Sequence, residues 1–257
     1  MRKLLLLLVS GGLLSSTGCG LDESQFVTEA RKANGLVIIL PGIEGPISGL
    51  ADDIRRGLSI GGVNQALQIY PWGRPIPGIG MVLNQMDVLG NRLAGASIAN
   101  AIVQYQDKYP GRPVYIVGHS GGGGVAVFAA EGMPEGRQLD GLILLSASIW
   151  NGYDLTKALS RCRNGIVNFY NSSDSGLLAI GTTITSTVDG MRGVSAGLSG
   201  FTRNFARLYQ IPVPSYGDDP HTAATRPSFV AANVAPWVLS SGWPIGGVVR
   251  RDAPRAW

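Results

Sequence analysis

Ser120 stands in Gly118-His-Ser-Gly-Gly122, a match to the pattern G-x-S-x-G. An apolar, β-branched run at 114–117 precedes it and an Ala/Val-rich run at 125–131 follows, so a strand enters the motif and a helix leaves it. A serine there occupies a strained turn, and glycines on both sides let the backbone bend without Cβ clashes. The pattern occurs twice more, at Gly57-Leu-Ser59-Ile-Gly61 and Gly193-Val-Ser195-Ala-Gly197. Ser59 follows a helix-like segment and Ser195 a polar one, and neither has a buried strand leading into it. With 37 glycines among 257 residues, this context rather than the pattern singles out Ser120 as the candidate nucleophile.

A serine hydroxyl is a weak nucleophile at neutral pH and needs a base within hydrogen-bond reach, most often histidine. The chain has two histidines. His119 directly precedes the serine, where a side chain points away from the nucleophile, and it reads as a packing residue. His221 remains as the base, in the loop-like Tyr216-Gly-Asp-Asp-Pro-His221 late in the chain. The imidazole in turn needs a carboxylate to fix its tautomer and stabilise its charged form. Asp174 follows the strand-like 166–170 by a short turn and lies between the serine and the histidine in sequence; Asp154 is the alternative. Asp218 and Asp219 are too near His221 in sequence to orient it and instead shape its loop.

The oxyanion of an acyl-transfer intermediate needs donors, and backbone amides can supply them. Gly121, immediately after the nucleophile, offers one. The other is expected from Leu40-Pro-Gly-Ile-Glu-Gly45, after the first placed strand, at the amide of Ile43, although a plain Pro/Gly turn explains those residues equally well.

Strand-like runs at 36–40, 66–70, 114–117, 142–145 and 166–170 alternate with helix-like segments at 49–58, 88–109 and 125–132, and a closing helix is expected at 227–239. Such alternation predicts an α/β fold with a mostly parallel central sheet and helices on both faces. Residues 71–87, rich in Pro, Gly and apolar side chains, read as an ordered wall loop; 149–164 reads as a short insertion that leaves a minimal cap, and 175–201 resists assignment.

With these elements in place, residues 35–239 resemble the α/β-hydrolase family: a strand, a Pro-Gly loop, a strand, the serine elbow, an acid after a later strand, and a late histidine. The resemblance implies hydrolysis of esters, amides or related bonds through an acyl-enzyme. Pro41-Gly-Ile-Glu44 stands where many lipases and esterases carry His-Gly-Gly-Gly, which departs from the hormone-sensitive-lipase-like branch.

The N-terminus predicts a signal peptide over 1–18, with Arg2 and Lys3 ahead of a leucine-rich core too short to span a membrane. Ser16-Thr-Gly-Cys19 resembles the lipobox of bacterial lipoproteins, which implies lipidation of Cys19, although Ser16 replaces the usual leucine and ordinary cleavage nearby is the alternative. A tether over 19–34 and a single catalytic domain over 35–257 complete the expected organisation. Without the signal, 19 basic residues face 17 acidic ones, which gives no nucleic-acid footprint. Neither a phosphate loop nor a dinucleotide fingerprint fits the glycines at 118–124, and no cofactor or metal is implied. The expected partners are a small-molecule or lipid ester substrate and, through the anchor, a membrane. A non-catalytic envelope lipoprotein on the same scaffold, and an acyltransferase or amidase with the same triad, are the competing functions.

Overall fold

The structure, a computed structural model, describes residues 23–45, 49–73, 84–174, 186–214 and 219–244. The expected signal, Cys19, Asp218, most of the 71–87 wall and part of 175–201 lie outside the described residues.

Among the described residues, six strands form one all-parallel sheet: β1 (Leu36–Leu40), β2 (Ala66–Ile69), β3 (Val114–His119), β4 (Gly141–Leu145), β5 (Ile166–Tyr170) and β6 (Leu208–Pro212), in the order β2-β1-β3-β4-β5-β6. Side chains alternate strictly between the faces. Leu36, Ile38 and Leu40 of β1 join one core cluster, while Val37 and Ile39 join the other. Burial on both faces explains the continuous apolar runs of β1, β3 and β4.

The helices described are α1 (Glu29–Lys32), α2 (Leu50–Ile60), α3 (Val88–Lys108), α4 (Gly121–Gly132), α5 (Thr156–Ser160) and α6 (Ala196–Ser199), followed by a segmented helix from Pro227 to Leu239. The faces divide them: α3, α4 and α5 contribute to the core of one face, and α2 with the C-terminal helix to that of the other. Helix α4 is buried from Gly121 to Ala130, pressed between the sheet and α3. Gly95 of α3 permits that approach, because a Cβ there would come within 2.7 Å of the Phe128 Cβ. This is an α/β fold with an all-parallel central sheet covered by helices on both faces, and the 149–164 insertion carries only the five-residue α5.

Two elements differ from expectation. Strand β6 escapes notice because it is a sheet edge with a polar Gln210 and a terminal Pro212, which lacks the amide a central strand would use. The closing helix is broken into Pro227–Phe229, a π-helical turn at Val230–Val234 and Ala235–Leu239. Pro236 has no amide to donate to a carbonyl four residues back, and the wider turn sits directly ahead of it.

Candidate active site

The strand order reverses direction between β1 and β3: from β1 the chain goes outward to β2, then crosses to β3 on the other side. In open parallel sheets the crevice beyond the carboxyl ends of two such strands is where ligands bind. Pro41–Glu44 leaves β1 at that point and Ser120 leaves β3.

Ser120 adopts φ 51 and ψ −122, a left-sided conformation that a non-glycine residue takes only under constraint. The constraint is visible. Its amide donates to the Leu145 carbonyl at 3.0 Å, and its own carbonyl accepts from Gly123 at 2.9 Å and Ser148 at 2.8 Å, so the end of β4 and the first turn of α4 both hold the kink. Glycine is required around it: a Cβ on Gly118 would come within 2.5 Å of the Gly122 carbonyl, and one on Gly122 would collide with the Pro41 carbonyl. Helix α4 starts at Gly121, not 125 as the apolar pattern suggested, since four consecutive glycines hide the first turn from a hydropathy reading.

His221 and Asp174 come together across 47 residues of sequence, with His221 Nδ1 2.8 Å from Asp174 Oδ2. Asp174 is buried and fixed in the short turn after β5, its amide donating to the Asn171 carbonyl at 2.9 Å. With Nδ1 donating to the carboxylate, Nε2 is left to accept a proton. Burial disfavours the imidazolium, but the hydrogen bond and charge of Asp174, with smaller contributions from Asp219 and Glu44, outweigh it and raise the His221 pKa above the ordinary histidine value. Asp219 shapes the loop as expected, accepting from the His221 amide at 3.2 Å and from the Thr222 hydroxyl at 3.2 Å.

Asp154 is held elsewhere. Its Oδ1 accepts from the Thr156 amide at 3.0 Å and the Thr156 hydroxyl at 2.6 Å, and its Oδ2 pairs with Arg203 at 3.2 Å on the exposed surface. Asp174, not Asp154, therefore meets the histidine.

The loop after β1 packs on the start of α4. A Cβ on Gly121 would come within 2.6 Å of Ile43 Cγ2 and 3.1 Å of the Trp72 ring, so the Ile43 and Gly121 segments are in direct contact. As the first residue of α4, Gly121 has an amide with no intrahelical acceptor. The Gly42 carbonyl accepts from Gly45 at 3.0 Å, and since a peptide unit is planar and trans, the Ile43 N–H points away from that turn. Trp72 Nε1 donates to the Pro41 carbonyl at 2.7 Å and Asn84 Nδ2 to the Ile43 carbonyl at 3.3 Å, which fixes the loop from outside.

Glu44, Trp72 and Asn84 were not among the expected site residues. Glu44 was legible only as one member of a Pro-Gly turn, yet its Oε1 accepts from the Gly42 amide at 3.2 Å and lies 3.7 Å from His119 Nδ1. Burial opposes its charge, but the adjacent His119, backbone hydrogen bonding and the nearby His221 lower its pKa below the usual glutamate value.

No family model matches the chain, and no curated protein does. Among solved structures it is similar to RedJ with a PEG molecule bound in the active site, at TM-score 0.35 and 15% identity, over 58% of this chain and 73% of that one. It is also similar to the NocB thioesterase domain in covalent complex with a fluorophosphonate nocardicin G analog, at TM-score 0.45 and 15% identity, over 85% and 98% of the two chains. The NocB thioesterase domain without the analog gives TM-score 0.40 and 16% identity, over 80% and 94%.

Proposed function

We propose that this protein is an exported serine hydrolase that cleaves carboxylic esters. The observation that carries the reading is the His221–Asp174 hydrogen bond at 2.8 Å, formed in a fold whose sheet also presents a strained serine elbow. In the proposed course, His221 Nε2 takes the Ser120 proton as Oγ attacks the ester carbonyl carbon. The amides of Ile43 and Gly121 stabilise the tetrahedral oxyanion. Collapse breaks the carbon–oxygen bond to the alcohol, which leaves with the proton held by His221. Water, deprotonated by the same imidazole, then attacks the acyl-enzyme, releases the acid and restores Ser120. Asp174 orients the ring throughout and offsets its transient positive charge.

Export and anchoring rest on the sequence of residues 1–19. Lipidation at Cys19 would hold the domain at a membrane surface and bring it to small-molecule or lipid esters there. Turnover of a nitrophenyl ester panel, with thioester and anilide analogues in parallel, tests the bond class. Ester hydrolysis lost in His221→Ala is the expected result, and cleavage of none of the panel would overturn the reading.

A further inference from the structure

His119, assigned to packing from sequence alone, carries more. As the last residue of β3 it shares its face with Val117, the face on which the segment after His221 also packs. The ring is buried, and its Nε2 lies 3.2 Å from the carbonyl oxygen of His221. A carbonyl only accepts, so Nε2 carries the proton and donates. The other nitrogen, Nδ1, makes no hydrogen bond and faces the Glu44 carboxylate at 3.7 Å. The rings of His119 and His221 are 5.0 Å apart between centroids, tilted by 54°.

We infer that His119 is a positioning residue, which ties the backbone of the base-bearing loop to the strand of the nucleophile and packs its ring beside Glu44, in the loop that offers the Ile43 amide. The inference rests on the serine-hydrolase reading for its catalytic consequence, not for its geometry. Three segments distant in sequence must hold their relative places for acyl transfer, and each reaches this one ring. Asp219 and Asn171 also restrain the His221 loop, through the His221 amide and the Pro220 carbonyl. Neither belongs to β3; among the described residues, it is the His119 bond that joins the His221 backbone to the serine's own strand.

The test compares His119→Phe, which keeps a ring but loses the donor, with His119→Gln, whose amide nitrogen can occupy the place of Nε2. Misplacement of a reacting group by a fraction of an ångström to an ångström lowers turnover by roughly ten- to a hundredfold. His119→Phe is expected to lower kcat within that range while KM changes little, and His119→Gln to recover most of the loss. A second measurement does not depend on activity. With only two histidines, nitrogen-15 histidine NMR assigns each ring by its loss in one variant. His119 is expected to show an Nε2–H protected from exchange. In His119→Phe the His221 titration, set by Asp174, Asp219 and Glu44 around it, is expected to fall as the Asp174 bond loosens. If wild type turns over no ester but the ring spectra behave this way, the function fails and the brace stands. If His119 Nε2 carries no protected proton, or both variants leave the His221 titration unchanged, the inference is overturned whatever the turnover. Equal impairment of kcat in the Phe and Gln variants would also overturn it, since shape rather than the donor would then matter.

Discussion

In the proposed mechanism His221 must be neutral to accept the Ser120 proton, so kcat/KM should rise with pH through one inflection set by its titration. That inflection is expected above the ordinary histidine value, because Asp174 raises the pKa against the effect of burial. Asp174→Asn removes the charge and leaves the burial, so the inflection should move down as turnover drops. Asp154→Asn, which alters only a surface turn and an ion pair, should leave both unchanged. The same shift links to stability. A group whose pKa is raised by folding stabilises the folded state fully below its unfolded value, and that contribution is lost as pH rises through the folded value. Thermal melts should therefore show the largest gap between wild type and Asp174→Asn under mildly acidic conditions, narrowing as His221 deprotonates. The strained turn at Ser120 and the pairing of His221 with Asp174 were legible because the chain offers few alternatives: two histidines, and one aspartate following a strand by a short turn. Glu44 was not, since an acid in a Pro-Gly loop carries no pattern and its meaning lies in the buried ring it meets.

At the scale of elements, the elbow depends on a backbone contact that no side chain can relieve. Gly122→Ala would drive a methyl group into the carbonyls of Leu40 and Pro41, so β1 and α4 would have to separate. A loss of about 1–3 kcal/mol is expected from overpacking of this kind, read as a lower urea midpoint with an unchanged slope, together with reduced turnover. Gly242→Ala, with open space around the added atom, should stay within about 0.5 kcal/mol of wild type. Strands β1, β3 and β4 could be read from apolar runs because burial on both faces leaves them no polar alternation, and β2 and β5 keep enough apolar residues around Gln68 and Asn168 to be read as well. The sixth could not: β6 sits at an edge, where Gln210 reaches back to the Phe201 carbonyl at 2.9 Å and the run ends on proline. The π turn before Pro236 was equally hidden, since a helical period survives one widened turn.

For the whole molecule, the described residues are held by a core on both faces of the sheet. Cys162 is a free, fully buried thiol whose pKa is pushed up to about 12 by burial. It should resist thiol reagents in the native protein and react only on unfolding, so its labelling rate reports global opening. Reaction in native buffer at the rate of the unfolded chain would show that the 156–163 region opens independently. The proposed lipidation of Cys19 can be tested in the same whole protein. Cys19→Ser is expected to release the protein from membranes, and unchanged membrane association would remove lipidation from the account.

Covalent labelling with a fluorophosphonate, followed by mass mapping of the modified peptide, asks whether Ser120 is a working nucleophile. A single adduct on Ser120 is expected in wild type and none in Ser120→Ala, with slowed labelling in His221→Ala and Asp174→Asn. An adduct that persists in Ser120→Ala, or a folded wild-type protein that takes no label, would contradict that role.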